Sequence, residues 1–350
     1  MKRVAIVAHG LSDGGAERVA ALLANHFAES GYSVHFIAAY SPAREYPLHS
    51  DVSYVYIPFH FQNKGLKLLE RSLKIDEEIR NFRADVVVSF IINELLFTGI
   101  KKNVPIVYSL RNDPHHLVEN RLNRILCNFL YGRSKRIVFQ TAGARDFFGE
   151  KIRDKGVIIP NPLTRNLPQW NSGCTSKTIV TACRLNKQKN IPMMIEGFST
   201  FHKEYPDYVL KIFGKGDLLG SLQELVRQKG LEESILFPGH SEAIHEIMAD
   251  ASMFVLTSDF EGLSNSMLEA LAIGVPSVCT DCPPGGAAEY IENGVNGLLI
   301  PVGDSEQLAA SFCRMAADRE LCIRMSENAG KIRETLNVDK VLKRWEAVLE

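Results

Sequence analysis

The strongest constraint on this 350-residue chain is a rhythm: short β-branched runs alternate with longer amphipathic stretches, stop, and then start again. The first series reads "RVAIVAH" then "GAERVAALLANHFAES", "SVHFIAAY", "DVVVSFI" then "NELLFTGIKK", "PIVYSL", and "RIVFQT" then "AGARDFFGEKI". Such spacing predicts parallel βαβ units with helices on both faces of a sheet. Around residues 160–178 the rhythm breaks into "PNPLTRNLPQWNSGCTSK", rich in Pro, Asn and Ser, which reads as a linker. It resumes with "TIVTACRL", "YVLKIFGKG", "SILFPGH", "MFVLTS", "PSVCTD" and "GLLIPV". The expected fold is therefore α/β, with two Rossmann-like, doubly wound domains over residues 1–165 and 166–332. A terminal amphipathic helix within 333–350, "VDKVLKRWEAVL", is expected to cross back to the first domain. Two such domains imply a cleft, with ligands at the carboxyl ends of the strands.

A composition of 45% hydrophobic and 23% charged residues is that of an ordinary globular protein with sizeable cores. The longest apolar stretches, "DVVVSFII" and "ASMFVLTS", fall far short of the roughly 20 residues of a membrane span. "MKRVAIVAHG" leads directly into glycine-rich sequence and reads as a first strand, without the cleavage site of a signal peptide. Seven scattered cysteines point to reduced thiols and a cytoplasmic protein. Cys279 and Cys282 form a lone C-x-x-C with no second pair or histidine cluster at zinc-like spacing, and so read as coincidence.

The net charge of −1 hides an asymmetry: residues 1–165 carry 23 Lys+Arg against 16 Asp+Glu, and residues 166–350 carry 17 against 25. The basic excess gathers in "KGLKLLERSLKIDEEIRNFR" and "RLNRILCNFLYGRSKR", where leucines recur at helical spacing. Two readings stay open for these segments: ordinary solvated surface helices, or a basic amphipathic face resting on an anionic membrane surface, which would place the protein at the inner face of the cell membrane. Nucleic acid is not an expected partner.

The stretch "FEGLSNSMLEALAIG" sets Glu261 and Glu269 eight positions apart. On one helix they would sit roughly 80° apart in azimuth and about 12 Å along the axis. That fits poorly with a carboxylate dyad for glycoside hydrolysis, which needs roughly 5–10 Å between carboxyls. Glu261 is better placed on a loop, with a helix beginning near Ser264 to Ser266 and Glu269 in its first turns. Ser266 and Glu269 also have the S-x-x-E spacing of a capping box. The alternative is a polar rim whose free N–H groups and positive dipole end face an anion.

Other loops follow strands. "HGLSDGGAER" puts Gly14 and Gly15 before a helix, where missing side chains let the backbone approach a phosphate or sugar. It is not G-x-G-x-x-G, so a dinucleotide reading is weak. In "CRLNKQKN", Arg184 and Lys189 emerge at a strand end, where two cations could hold a diphosphate. "FGKGD" brings Gly214 and Gly216, and "FPGH" brings Gly239 and His240.

The ordered set of GGAER, R-L-x-x-x-K-N, the G-x-G-D-like loop, E-x7-E with its G-L-x-x-x-x-L-E core, and "GAAEYIENGVNGLLIPVGD" resembles the large retaining GT-B glycosyltransferase family that includes glycogen synthases, sucrose synthases and bacterial surface-glycan enzymes. The similarity runs over nearly the whole chain and is strongest from Thr181 to Asp304, where it is closest to bacterial enzymes that extend lipid-linked or surface polysaccharides. The resemblance implies that Arg184 and Lys189 bind the donor diphosphate and stabilise the departing nucleotide. It implies that Glu261 contacts the donor sugar and that Glu269 accepts from the ribose hydroxyls. The backbone of Gly262, Leu263, Ser264 and Asn265 would meet sugar and phosphates, joined by Gly14, Gly15, Gly214 and His240. It further implies a nucleotide-sugar donor as co-substrate, a uridine one by preference, a glycan or lipid-linked acceptor, an α-linkage, and no cofactor or metal.

One departure concerns the acceptor. Many relatives place a histidine where "YSLRNDPHH" has Arg111, followed by Asn112, with His115 and His116 farther on. Arg111 could bind a phosphate on the acceptor, with Asn112 beside it, or could pair with Asp113. The competing functional readings are a nucleotide-sugar epimerase on the same fold, for which no additional acid and base stand out, and a non-catalytic nucleotide-sugar-binding subunit, against which the presence of Arg184, Lys189 and Glu261 argues.

Overall fold

The computed structural model describes residues 1–12, 14–61, 63–101, 103–118, 121–173 and 175–350. Two compact units divide the chain: residues 1–162 with 339–350, and residues 163–338.

The first unit is built on a seven-stranded, wholly parallel sheet. Its strands are β1 (Arg3–Ala8), β2 (Ser33–Ala38), β3 (Val52–Tyr56), β4 (Val86–Ser89), β5 (Ile106–Leu110), β6 (Arg136–Phe139) and β7 (Gly156–Ile158). They lie in the order β3-β2-β1-β4-β5-β6-β7, with Val4 opposite both Val34 and Val86. The central strands β1, β4 and β5 are buried along nearly their whole length and are mostly apolar, as strands covered on both faces are. The helix Gly15–Glu29 covers the sheet through Val19, Ala20, Leu23, Ala24 and Phe27. The terminal helix Val338–Leu349 belongs to this unit from Asp339 onward and buries Val341, Leu342, Trp345, Val348 and Leu349 at helical spacing.

The second unit has six parallel strands: β8 (Thr178–Ala182), β9 (Val209–Phe213), β10 (Ile235–Gly239), β11 (Met253–Leu256), β12 (Ser277–Thr280) and β13 (Leu298–Ile300). Their order is β10-β9-β8-β11-β12-β13, the doubly wound arrangement in which the chain reverses direction beside the first strand. The loops after β8 and β11 therefore emerge side by side at the carboxyl edge.

The unit boundaries fall at Pro162 and Val338, whereas the sequence suggested 165 and 332. Backbone and side-chain bonds explain the shift. Leu163 N donates to Leu336 O, and Arg333 donates to the carbonyls of Ala272, Leu167 and Pro168, which ties the linker and the segment after 332 into the second unit. Two strands, β3 and β7, are absent from the rhythm of the sequence. Both are sheet edges, β3 with only Val52 buried and β7 three residues long, so neither needs a continuous apolar run. Six cysteines are free, while Cys174 lies outside the described residues. Cys279 and Cys282 are buried, which pushes both thiols up in pKa, and no group of three potential metal ligands occurs among the described residues.

Candidate functional site

The loop after β8 is shaped by backbone contacts that only glycine permits. Gly214 follows β9 at φ +130°, and a Cβ there would lie 1.9 Å from the Cys183 carbonyl oxygen. At Gly216 a Cβ would lie 2.3 Å from the Leu185 carbonyl oxygen. With nothing in the way, Cys183 N donates to Phe213 O, Leu185 N to Lys215 O, and Leu218 N to Leu185 O. The loop carrying Arg184 is thus pressed onto the loop carrying Gly214 and Gly216. Arg184 is exposed between its two bonded neighbours. Gly214 N also donates to Gly239 O, which brings the β10 end alongside, where His240 is exposed.

The same loop is fastened on its other side to the loop after β11. Asp259 N donates to Gln188 O, and Gln188 Nε2 donates to Phe260 O at 2.9 Å. Thr257 Oγ1 lies 2.9 Å from Lys189 O, and Asn190 Nδ2 donates to Asp259 Oδ1 at 2.6 Å. Asn190 adopts a left-handed conformation at φ 41° and also caps the following helix, accepting from Met193 N. At the join, Lys189 Nζ donates to Glu261 Oε2 in an ion pair whose side chains are only 12% and 19% exposed. Burial alone would lower the Lys189 pKa, but Glu261 more than offsets this and the net shift is upward. The ammonium is therefore charged at neutral pH and fixed in position.

After Glu261 the chain turns into a helix, Asn265–Ile273. Its N-cap is Ser264, whose hydroxyl accepts from Met267 N at 3.4 Å. The capping-box expectation for Ser266 and Glu269 is thereby corrected: the cap lies two residues earlier, which places Glu269 a full turn inside the helix and out of reach of the cap. Glu269 is 5% exposed; its Oε1 accepts from Thr164 Oγ1 at 2.7 Å and its Oε2 lies 3.1 Å from His245 Nε2. Gly262 and Leu263 are buried, and Asn265 is half-buried at the first helical position. A Cβ on Gly286 would lie 2.2 Å from the Gly262 carbonyl oxygen, and Glu261 N donates to Pro283 O, so the "CPPGG" loop forms the floor under Glu261. Sequence reasoning passed over His245, Thr164, Thr257 and Gly286 as site-building residues. Gly286 alone had a signal, as half of a Gly–Gly pair after a strand.

In the first unit, Gly14 is the N-cap of the helix Gly15–Glu29 and has ordinary extended backbone at φ −152°. Its nearest obstacle to a Cβ is the flexible Glu17 carboxylate. Arg111 follows β5. Its Nε donates to Ser109 Oγ at 2.6 Å, its Nη1 donates to Asn161 Oδ1 at 2.7 Å, and its guanidinium lies 5.2 Å from the Phe90 ring and 5.3 Å from that of Trp345. Burial lowers its pKa to about 9. The alternative pairing with Asp113 is corrected here: Asp113 is engaged by His115 and His116, at 2.9 and 3.2 Å, and caps the short helix Pro114–Leu117. Asn112 is exposed. The Gly14–Gly15 loop and Arg111 thus sit at the ends of non-adjacent strands, although Arg18, from the glycine-loop helix, donates to Pro162 O beside the Asn161 that Arg111 holds.

Two parallel sheets in the same doubly wound order are the architecture of the GT-B class of α/β protein. A family model described as "Glycosyl transferases group 1" matches residues 164–332, and one described as "Glycosyltransferase Family 4" matches residues 13–166. The chain belongs to the GT-B glycosyltransferases. Among similar proteins, an uncharacterized glycosyltransferase of Haemophilus influenzae is 25% identical, with 97% of each chain covered. The N-acetylgalactosamine-N,N'-diacetylbacillosaminyl-diphospho-undecaprenol 4-alpha-N-acetylgalactosaminyltransferase of Campylobacter jejuni is 27% identical over 92% of each. The crystal structure of Anabaena HepE in complex with UDP-glucose superposes with a TM-score of 0.82 at 18% identity, covering 100% of this chain and 99% of the other, a likeness of fold.

Proposed function

We propose that this glycosyltransferase is a retaining enzyme that moves a sugar from a uridine nucleotide sugar to a lipid-linked or glycan acceptor in surface-polysaccharide biosynthesis, forming an α-linkage without a divalent metal. The observation that carries the reading is the Lys189–Glu261 pair, a fixed cation and a carboxylate side by side on the loops after β8 and β11. A donor diphosphate takes its charge compensation from Lys189 and Arg184, the role a metal would otherwise fill, and those charges are in place before the leaving group develops its own. Glu261 and the backbone of Gly262, Leu263, Ser264 and Asn265 hold the donor sugar, and Glu269, Gly214 and His240 serve the nucleotide. Arg111 and Asn112, with Gly14 and Gly15, serve the acceptor side and the near end of the donor.

In the reaction the bond from the anomeric carbon to the diphosphate oxygen breaks, and the acceptor hydroxyl oxygen bonds that carbon on the same face. The hydroxyl proton passes to the departing phosphate oxygen, so configuration is retained with no enzyme nucleophile. The name of the Campylobacter relative, a transferase acting on a diphospho-undecaprenol acceptor, supports the lipid-linked acceptor. The HepE complex with UDP-glucose supports a uridine donor.

The test is turnover of a panel of uridine and guanosine sugars in the presence of chelator, with product anomers read by NMR. Glu261→Ala is expected to abolish transfer while leaving the circular dichroism spectrum unchanged, since it removes a contact made to the reacting sugar. Unaltered turnover in that variant, or an inverted product, would sink the assignment.

A further inference from the structure

The first unit presents an outward face that a protein surrounded only by water has no use for. Three successive crossovers, from β3 to β4, β4 to β5 and β5 to β6, step across the sheet in one direction, so right-handed connections put their helices on the same face. These are the helices Lys64–Phe82, Leu96–Lys101 and Arg121–Arg133, and the middle one packs against both of the others. Arg133 fastens the last to the middle helix, donating to the carbonyls of Gly99 and Ile100.

Each of the two longer helices has an inward stripe that builds the core, including Ile75 and Ile79 on one and Cys127, Leu130 and Tyr131 on the other. Each also has a second apolar stripe that points away from it. Leu66, Leu69 and Leu73 are 43–47% exposed, and Leu122, Ile125 and Phe129 are 79%, 58% and 43% exposed. The spacing is the same on both helices, three residues and then four. Scattered exposed leucines are ordinary, but two apolar stripes of the same spacing, on helices that flank the same short helix, mark a contact surface.

The charges say what kind of surface. The helix Arg121–Arg133 contains three arginines and no acidic residue, with Arg121 and Arg124 exposed beside its apolar stripe. On the other helix, Glu70 is held by His60 and Lys74, at 2.7 and 2.9 Å, Asp76 by Arg80 and Lys101, and Glu78 by His35, while Glu77 is exposed one turn beyond Leu73. A second copy of this chain meeting this face with its own would set arginine against arginine. We infer that the face formed by the helices Lys64–Phe82 and Arg121–Arg133 docks on an anionic lipid bilayer, the leucines, isoleucine and phenylalanine entering the interface and Arg121 and Arg124 lying at the phosphates. Long basic side chains suit that geometry, since their stems lie along the apolar boundary while their charge stays at the headgroups. The inference is independent of the transfer chemistry.

The test is co-sedimentation of the full chain with vesicles of phosphatidylcholine, alone and with one third phosphatidylglycerol. Binding is expected to the anionic vesicles and to weaken with salt. Replacing both arginines, Arg121→Gln with Arg124→Gln, is expected to lower that affinity about tenfold or more. The triple change Leu122→Ser, Ile125→Ser and Phe129→Ser is expected to abolish binding even at low salt, with thermal unfolding unchanged because all three are solvent-facing. A wild-type chain that stays in the supernatant with anionic vesicles overturns the inference, as does a triple variant that binds equally well. Sedimentation equilibrium showing a dimer that the triple variant dissolves would assign the face to a second copy and overturn it too.

Discussion

The two sheets share one winding order through six strands, yet they hold their carboxyl-edge loops with different balances of backbone and side-chain contact. In the second unit the loops lie backbone against backbone, at separations no Cβ tolerates, with the Cys183–Leu185 and Gly262 carbonyls set against Gly214, Gly216 and Gly286. In the first unit the loops after β1 and β2 also meet through backbone, Tyr40 N and Ser41 N donating to His9 O, but the loops after β5, β6 and β7 are held by side chains: Arg18 and Gln140 reach the Asn161–Pro162 segment, and Arg111 bridges Ser109 and Asn161 under Trp345. The difference teaches that a shared topology dictates only where loops emerge. Close backbone packing gives a rigid bed for small groups and charges, whereas a side-chain lattice can be altered one residue at a time.

The sharpest way to break that contrast is in the core of the first unit. Trp345→Ala removes a fully buried ring from the terminal helix and the aromatic face beneath Arg111, and is expected to cost about 3–5 kcal/mol in urea unfolding. A loss under about 1 kcal/mol would mean that the terminal helix is dispensable to this unit. The glycine comparison comes next. Gly214→Ala should destabilise by about 3 kcal/mol, because it combines φ +130° with a collision against backbone. Gly14→Ala, with extended backbone and only the movable Glu17 carboxylate in the way, should cost less than about 1 kcal/mol. Equal effects at the two glycines would erase the distinction between the loops.

On function, Lys189→Met should reduce kcat/KM about a hundredfold, the scale of losing one preorganised charge from a transition state. A variant with normal turnover would leave Glu261 acting without its partner cation. The smallest effect is expected at Glu269→Gln, a rise of about tenfold in the nucleotide-sugar Kd, the scale of one hydrogen bond to a charged group. A lowered Tm with unaltered affinity would instead give the Thr164–Glu269–His245 cluster a purely structural role.

The sequence made the interior strands of both units legible because each is a short apolar run bounded by turn residues. It also made the second unit's edge strands β10 and β13 legible, but left β3 unread, where only Val52 is buried, and β7, which is three residues long. Arg184, Lys189, Glu261 and Glu269 stood out through their positions after strands and their spacing. Their supporting shell did not. His245 comes from a helix that no motif marks, and it finds Glu269 only because the helices Ile244–Ala249 and Asn265–Ile273 pack side by side. Ser264 and Ser266 compete as caps in the sequence, and the backbone resolves the contest by leaving the helical range at Ser264, with ψ 121°. That the compact unit runs on to Val338 depends on the carbonyls Arg333 finds, a long-range choice that local composition does not encode.

The ion pair at the join of the two loops has a consequence for selectivity. Lys189 is already matched by Glu261, so an arriving anion that separates them must repay the carboxylate as well as satisfy the ammonium. Sulfate or chloride has no donor to offer Glu261 and would leave it stranded. A molecule that carries hydroxyl groups close to its negative charge can answer both at once. Recognition at this pair is therefore a coincidence requirement, and the commonest anions in solution meet only half of it.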